Sequence, residues 1–323
     1  MATHLPSPSD LEDLDALTTE AVADSHLMLD ELSVPELVTL MNDRDETVAA
    51  AVRAVLPAVS DAIAATVERM RRGGRLLYVG AGTSGRLGVL DASEVPPTFG
   101  TGPDVVIGII AGGPAAIVSA VEAAEDDAEA GATDVDAHAV GELDTVVGIA
   151  SSGRTPYVLG ALVRASERGA LTVGVACNTS TPLAEVADHG IELAVGPEVV
   201  TGSTRLGAAT ATKMVLNMFS TIAMVQLGKT YRTLMVDVKA TNAKLRRRAV
   251  RIVTLATEID DAVAERALED AGWHAKLAIA MIATGLDADH ARAALDDAGG
   301  VLRVVVDRAS VDGDRPTTSE EPA

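Results

Sequence analysis

"LLYVGAGTSGRLGVLDASE", residues 76–94, runs from a short apolar segment of strand character into Gly80-Ala81-Gly82-Thr83-Ser84-Gly85 and then into a helical pattern. Those six residues satisfy G-x-G-x-x-G, in which glycines permit a tight strand-to-helix turn and close approach of the backbone to a phosphate. A dinucleotide site also requires an acidic residue about 20 positions on, at the end of the second strand. That strand ends instead in "IIAGGPAA", residues 109–116, so the nicotinamide reading fails. What the loop does carry is hydroxyls, Thr83 and Ser84, beside Gly85. A second hydroxyl-rich turn, Ser151-Ser152-Gly153-Arg154-Thr155-Pro156, follows the third strand at the same strand-to-helix position. One such loop need be no more than a tight βα turn; two side by side, each opening a helix N-terminus, suggest a cradle for a phosphomonoester, with Arg154 as a local cation.

Outward from these loops the chain alternates short buried strands with helical segments, the pattern of a parallel sheet. Strands are expected at Leu76–Val79, Val105–Ile110, Thr145–Ala150, Leu171–Ala176 and Ile191–Val195, which predicts a three-layer αβα sandwich on a five-stranded parallel sheet. Residues 1–72 read as N-terminal helices packing on this core. Ser33 and Glu36 have capping-box spacing, and Pro57 is placed to kink or split a long Ala-rich run. Domain 73–238 ends with a helical run from Ser203 to Leu227. Residues 239–308 form a helical C-terminal region, with a helix over 239–258 and three short helices separated at Gly272 and Gly285. The only strand-like pattern there is "VLRVVVD" near 301, and 309–323 read as a disordered tail. No internal repeat appears beyond the βα alternation.

The chain has 323 residues, 48% of them hydrophobic, enough for a substantial core, but aromatics supply only 2%, so base-stacking platforms are hardly available. A formal net charge of −21 repels polyanions and anionic membranes, which argues against both as partners. It also opposes a small anionic substrate, so a phosphate site must be built locally from helix N-termini and a few Arg or Lys. A single cysteine, Cys177, excludes an internal disulfide and suits a reducing compartment; it reads as a small buried hydrophobe. The opening "MATHLPSPSDLEDLD" lacks the basic and apolar regions of a secretory signal, and apolar stretches such as "LAIAMIATG", 277–285, are too short to cross a bilayer. A cytoplasmic protein is expected. Six histidines are scattered without metal-ligand spacing, so no metal is expected.

Six blocks, "GAGTSGRLGVLDASEVPPTFG" (80–100), "IIAGG" (109–113), "EAAEDD" (122–127), "GIASSGRTPYV" (148–158), "GPEVVTGSTRL" (196–206) and "LMVDVKATNAKL" (234–245), resemble in order the sugar isomerase (SIS) domain of N-acetylmuramic acid 6-phosphate etherases. The resemblance covers roughly residues 10–305. It departs at Gly207, where a Lys is usual, at Ala209 for Gly, at Val95 for Cys and at Ser151 for Ala. The implied reaction cleaves the D-lactyl ether of N-acetylmuramic acid 6-phosphate, giving N-acetylglucosamine 6-phosphate and D-lactate in cell-wall sugar recycling. It implies no cofactor.

An unactivated ether resists hydrolysis at neutral pH, but an ether oxygen β to the aldehyde of a ring-opened sugar can leave once the C2 proton is removed. Such a route needs one base and one acid. By motif position the resemblance assigns Glu94 as the acid and Glu125 as the base. On spacing alone, Glu122, Glu125 and Glu129 would share a helix face as a solvated acidic stripe, and only the resemblance singles out Glu125. Pro96-Pro97 should stop the helix that carries Glu94. Glu198, ahead of a helix expected from Ser203, is either a further polar group at the site, with Ser203 and Thr204, or an exposed loop carboxylate. Two rivals remain: a sugar-phosphate-sensing regulator, since glucokinase regulatory protein resembles these etherases but is about twice as long with two SIS domains, and an aldose-ketose isomerase. A single SIS domain points to a homodimer, with the 203–227 helix near the contact.

Overall fold

The computed structural model describes residues 17–23, 27–121, 123–238, 240 and 242–313. They divide into two compact units, one comprising residues up to Glu94 with Pro103–Ala223, the other Val95–Gly102 with the chain from Met224 onward. The first opens with helices α1 (Val34–Ala54) and α2 (Leu56–Arg71). The Ser33 amide donates to Glu36 Oε2 at 2.8 Å, as capping-box spacing predicts, and the two helices meet at a 59° bend just before Pro57, whose missing N–H suits the first turn of a new helix.

The chain then alternates: β1 (Leu76–Gly80), α3 (Gly82–Phe99), β2 (Val106–Ile110), α4 (Ala128–Ala137), β3 (Thr145–Ile149), α5 (Pro156–Glu167), β4 (Leu171–Ala176), α6 (Pro182–Val186), β5 (His189–Glu192) and α7 (Gly207–Gln226). All five strands pair in parallel in the order β2-β1-β3-β4-β5. Alternate side chains of β1 serve the two faces. Leu77 and Val79 pack with residues of α4 and α5, including Val135, Val158 and Leu162, whereas Tyr78 faces α3 and α7.

The expected fifth strand lies two to three residues earlier than its apolar run, because pairing with β4 ends at Glu192 and the Val195 amide turns back onto the Leu193 carbonyl. Pro96 and Pro97 do not stop α3 but lie in its last turn, which closes through the Gly100 amide on the Pro96 carbonyl, with Gly100 in the left-handed region at φ 67°. Helix α7 begins at Gly207 rather than Ser203. By length and composition it would suit a membrane span, but Val215, Leu216 and Phe219 are buried in the fold, as in a core helix.

In the second unit a small antiparallel hairpin, β6 (Thr230–Tyr231) and β7 (Leu234–Met235), precedes helices α8 (Ala243–Thr257), α9 (Asp261–Asp270), α10 (Ala275–Thr284), α11 (Ala288–Asp297) and α12 (Leu302–Gly313). Left-handed glycines 272 and 285 fall between helices as expected. "VLRVVVD" is helical: Leu302 and Val305, three apart, bury in the cluster formed with α8–α11, so packing overrides its β-branched preference. Residues 309–313 of the expected tail continue that helix, and 314–323 lie outside the described residues.

The N-terminal edge of the sheet is pinned by one ion pair. Asp144, just ahead of β3, accepts from the Arg75 amide (2.9 Å), Arg75 Nε (3.0 Å) and Nη2 (2.6 Å) and from the Gly141 amide (3.0 Å). Burial would push this carboxyl up, but the Arg75 guanidinium and the two amides hold it below its ordinary range. A carboxylate lowered in the folded state adds stability above its unfolded pKa of roughly 3.9, and that stability is lost as pH falls through the folded value. Asp144→Ala should therefore lower unfolding free energy by about 3 kcal/mol at neutral pH, read as a shift in urea midpoint. The difference between variant and wild type should shrink as the pH is taken below about 4.

Candidate functional site

In a parallel sheet ordered 2-1-3-4-5, chain connections leave β1 and β3 in opposite directions, opening a crevice beyond the carboxyl ends of those two strands. Gly80, the last residue of β1, pairs with Ile149, the last of β3. Sheet register therefore sets the two hydroxyl loops side by side.

The first loop is tight because its glycines interlock. A Cβ on Gly80 would lie 2.7 Å from the Gly85 amide nitrogen, and one on Gly85 would lie 2.6 Å from the Gly80 carbonyl oxygen. Helix α3 thus starts almost in contact with the strand, with Thr83, Ser84 and Gly85 in its first turn. In the second loop Gly153 has φ 69° and a Cβ there would strike Thr181 at 2.4 Å, so only glycine fits. Ser152 Oγ accepts from the Arg154 amide at 3.2 Å, and Thr155 precedes the first residue of α5. Ser151, Ser152, Arg154 and Thr155 are all half-buried.

A cavity of about 350 Å³ opens at the first loop, lined among others by Gly82, Arg86, Ala111, Val121 and Glu125. Glu125 does not stand on a helix. It occupies a turn ahead of α4, so the expected helical face shared with Glu129 is not formed, and Glu122 lies outside the described residues. The Glu125 carbonyl accepts from the Tyr157 amide at 3.0 Å, in the first turn of α5. That bond holds its turn against the helix opened by the second loop, while Glu125 itself lines the cavity of the first. Glu94 is exposed on α3, about 18 Å along the helix from Gly82 and about 12 Å from Arg86, and does not line this cavity.

Glu198 is 2% exposed, not a solvated loop carboxylate. Its two oxygens accept from the Gly207 and Ala208 amides at 2.9 Å each, capping the start of α7 with charge of the favourable sign. Ser203 and Thr204 sit half-buried in the loop that this cap closes. Cys177 is fully buried, its thiol pushed up to about 11 chiefly by desolvation, which keeps it unreactive.

Two residues of this region escaped sequence reasoning. Arg86 lines the Glu125 cavity, its Nε donating to the Ile117 carbonyl at 3.0 Å; its place directly after Gly85 was the available signal. Asn178 is 2% exposed, and its side-chain amide is engaged on both sides, binding Thr18, Thr19 and the Ser151 carbonyl, so it ties the N-terminal segment to the second loop. No local pattern announces such a long-range contact.

Two family models match: the glucokinase regulatory protein N-terminal SIS domain over residues 58–167 and the SIS domain over 123–225. A Streptomyces avermitilis protein named N-acetylmuramic acid 6-phosphate etherase is 56% identical over 84% of this chain and 87% of its own length. The chain belongs to the N-acetylmuramic acid 6-phosphate etherase family. An etherase of Mycolicibacterium smegmatis is likewise 56% identical, over 84% of this chain and 91% of its own. Among solved structures, a phosphoheptose isomerase from Francisella tularensis aligns with a TM-score of 0.48 at 18% identity, covering 60% of this chain and 99% of that one. The departure from the etherase pattern at Gly207 falls on the helix cap itself: a Cβ there would lie 3.2 Å from Glu198 Oε2.

Removing this cap leaves two buried amides without an acceptor. Glu198→Ala should destabilise the protein by about 2 kcal/mol and speed hydrogen exchange at Gly207 and Ala208, with Glu198→Gln, which keeps one acceptor oxygen, falling between.

Proposed function

We propose that this protein cleaves the D-lactyl ether of N-acetylmuramic acid 6-phosphate to N-acetylglucosamine 6-phosphate and D-lactate, a step of cell-wall sugar recycling. The observation that carries this reading is the placement of Glu125, which lines the first-loop cavity with Arg86 while its carbonyl is tied to the helix opened by the second loop. In this reading Thr83, Ser84, Gly85 and Ser151–Thr155 hold the phosphate, although the cavity itself is lined by Gly82, Arg86 and Glu125 and by none of those residues. The names and identity of the relatives supply the substrate.

In the chemistry, Glu125 first takes the C2 proton of the ring-opened sugar, leaving the electron pair in the enolate of the C1 aldehyde; that pair then forms the C2–C3 double bond as the C3–O bond breaks. Glu94 gives its proton to the departing oxygen, releasing D-lactate. Water then adds at C3 and a proton returns to C2. The N-acetyl sugar keeps its 6-phosphate throughout. An isomerase would move the same C2 proton but leave the ether intact.

Base and acid must each come within about 3 Å of neighbouring groups of one substrate, and Glu94, about two turns beyond Arg86 on α3, does not line its own chain's Glu125 cavity. We read the protein as a cytoplasmic homodimer in which Glu94 of one copy serves the cavity of the other. Exposed Leu90 on α3 and Ile222 on α7 offer apolar surface for such a contact.

Incubated with N-acetylmuramic acid 6-phosphate, the protein should release stoichiometric D-lactate, and far more slowly with the unphosphorylated sugar; no lactate at all would overturn the proposal. In heavy water Glu94→Gln should still exchange the C2 hydrogen while losing about a hundredfold to ten-thousandfold in lactate release, whereas Glu125→Gln should lose both. Re-associating the two inactive variants in equal amounts tests the shared site. Half the dimers are mixed and each carries one intact site, so roughly a quarter of wild-type activity should return. No recovery would confine both residues to one chain.

A further inference from the structure

On α3 the interior face carries Gly85, Gly88 and Ala92, small residues that let the helix lie on β1. A Cβ on Gly88 would be 2.8 Å from Tyr78 Cβ, so no side chain separates the helix from the strand there. The same face carries Asp91, a carboxylate only 5% exposed, where helical spacing calls for another hydrophobe. Asp91 Oδ2 accepts from the Tyr78 hydroxyl at 2.9 Å and Oδ1 from Ser220 Oγ at 3.2 Å. Tyr78 belongs to the centre of β1 and Ser220 to α7, and both are buried. The charged groups that act on Asp91 are Lys213 from α7, which favours its ionised form, and Glu94, which opposes it.

An apolar side chain at 91 would hold α3 by burial alone, which resists separation but tolerates small rotations and slips. Two directional bonds, to hydroxyls on different elements, fix both the rotation of the helix and its position along the strand. Glu94 follows Asp91 by three residues, less than one turn, so any rotation at 91 is passed to it directly.

We infer that Asp91 is the positioning residue for Glu94, holding the proposed acid in register with the ether oxygen through the Tyr78 and Ser220 hydroxyls. It touches no substrate. The inference rests on the assignment of Glu94 as the acid.

Because C2 exchange depends on Glu125 and lactate release on both glutamates, the ratio of the two rates separates misplacement of Glu94 from general damage to the fold. Asp91→Asn keeps shape and one acceptor oxygen. It should release lactate about ten- to a hundredfold more slowly. Exchange at C2 and the KM should stay within about twofold of wild type, so the ratio of exchange to release rises at least fivefold or so. Tyr78→Phe, which removes a single buried hydroxyl, should shift the ratio the same way by less, and it decides the matter if the Asn variant does not fold. Glu94→Gln in the same assay calibrates a fully lost acid. An unchanged ratio in either folded variant would make Asp91 a purely structural group and overturn the inference. If Glu94→Gln leaves the ratio unchanged, the acid assignment falls and the inference with it. Wild-type protein that releases no lactate would instead defeat the functional reading itself.

Discussion

Glycine-mediated contact between α3 and β1 is the constraint on which the site depends. The Gly85 amide occupies the space a side chain at Gly80 would need, and Gly88 repeats the same close approach one turn later against Tyr78. Separating the helix from the strand by even one methyl layer would move the first-turn amides away from the mouth of β1. It would also take Asp91 out of reach of the Tyr78 hydroxyl. The first loop, the cavity beside it and the orientation of Glu94 therefore share a single packing requirement, and adding volume to this tightly packed face would disturb all three.

A strongly acidic protein that handles a phosphorylated sugar has to create positive potential over short distances. In the reading proposed above, the strand order serves this by bringing two helix starts together at the carboxyl ends of β1 and β3, with Arg86 and Arg154 on the loops or just beyond them. A third helix start is treated differently. At α7 the amides of Gly207 and Ala208 are occupied by Glu198, so that terminus is closed to a ligand and the negative charge serves stability.

The βα alternation, the two hydroxyl loops, the break before Pro57 and the punctuation of the helical unit at Gly272 and Gly285 were all legible, because each rests on local periodicity or on residues with restricted backbone geometry. The failures were of another kind. "VLRVVVD" looks like a strand until Leu302 and Val305 find a helical cluster to enter, and the acidic run around Glu125 looks like a helix face until the Tyr157 amide claims the Glu125 carbonyl. Glu198 could be read as an exposed loop group because its partners lie nine and ten residues ahead, across a loop that carries no regular pattern.

The sequence by itself determined that a parallel sheet would carry two glycine and hydroxyl turns and that its second strand would end without the acidic residue of the dinucleotide fingerprint, since those are properties of residue type and spacing along one strand or turn. Only the tertiary structure decided which loops meet. The 2-1-3-4-5 order puts residues 80–85 beside 150–155, and hydrogen bonds between elements tie the Glu125 turn to α5, Asp91 to Tyr78 and Ser220, and Glu198 to the start of α7. The physical reason is that strand order and hydrogen-bond satisfaction are decided by competition among all buried groups of the fold, and no window of consecutive residues contains that competition.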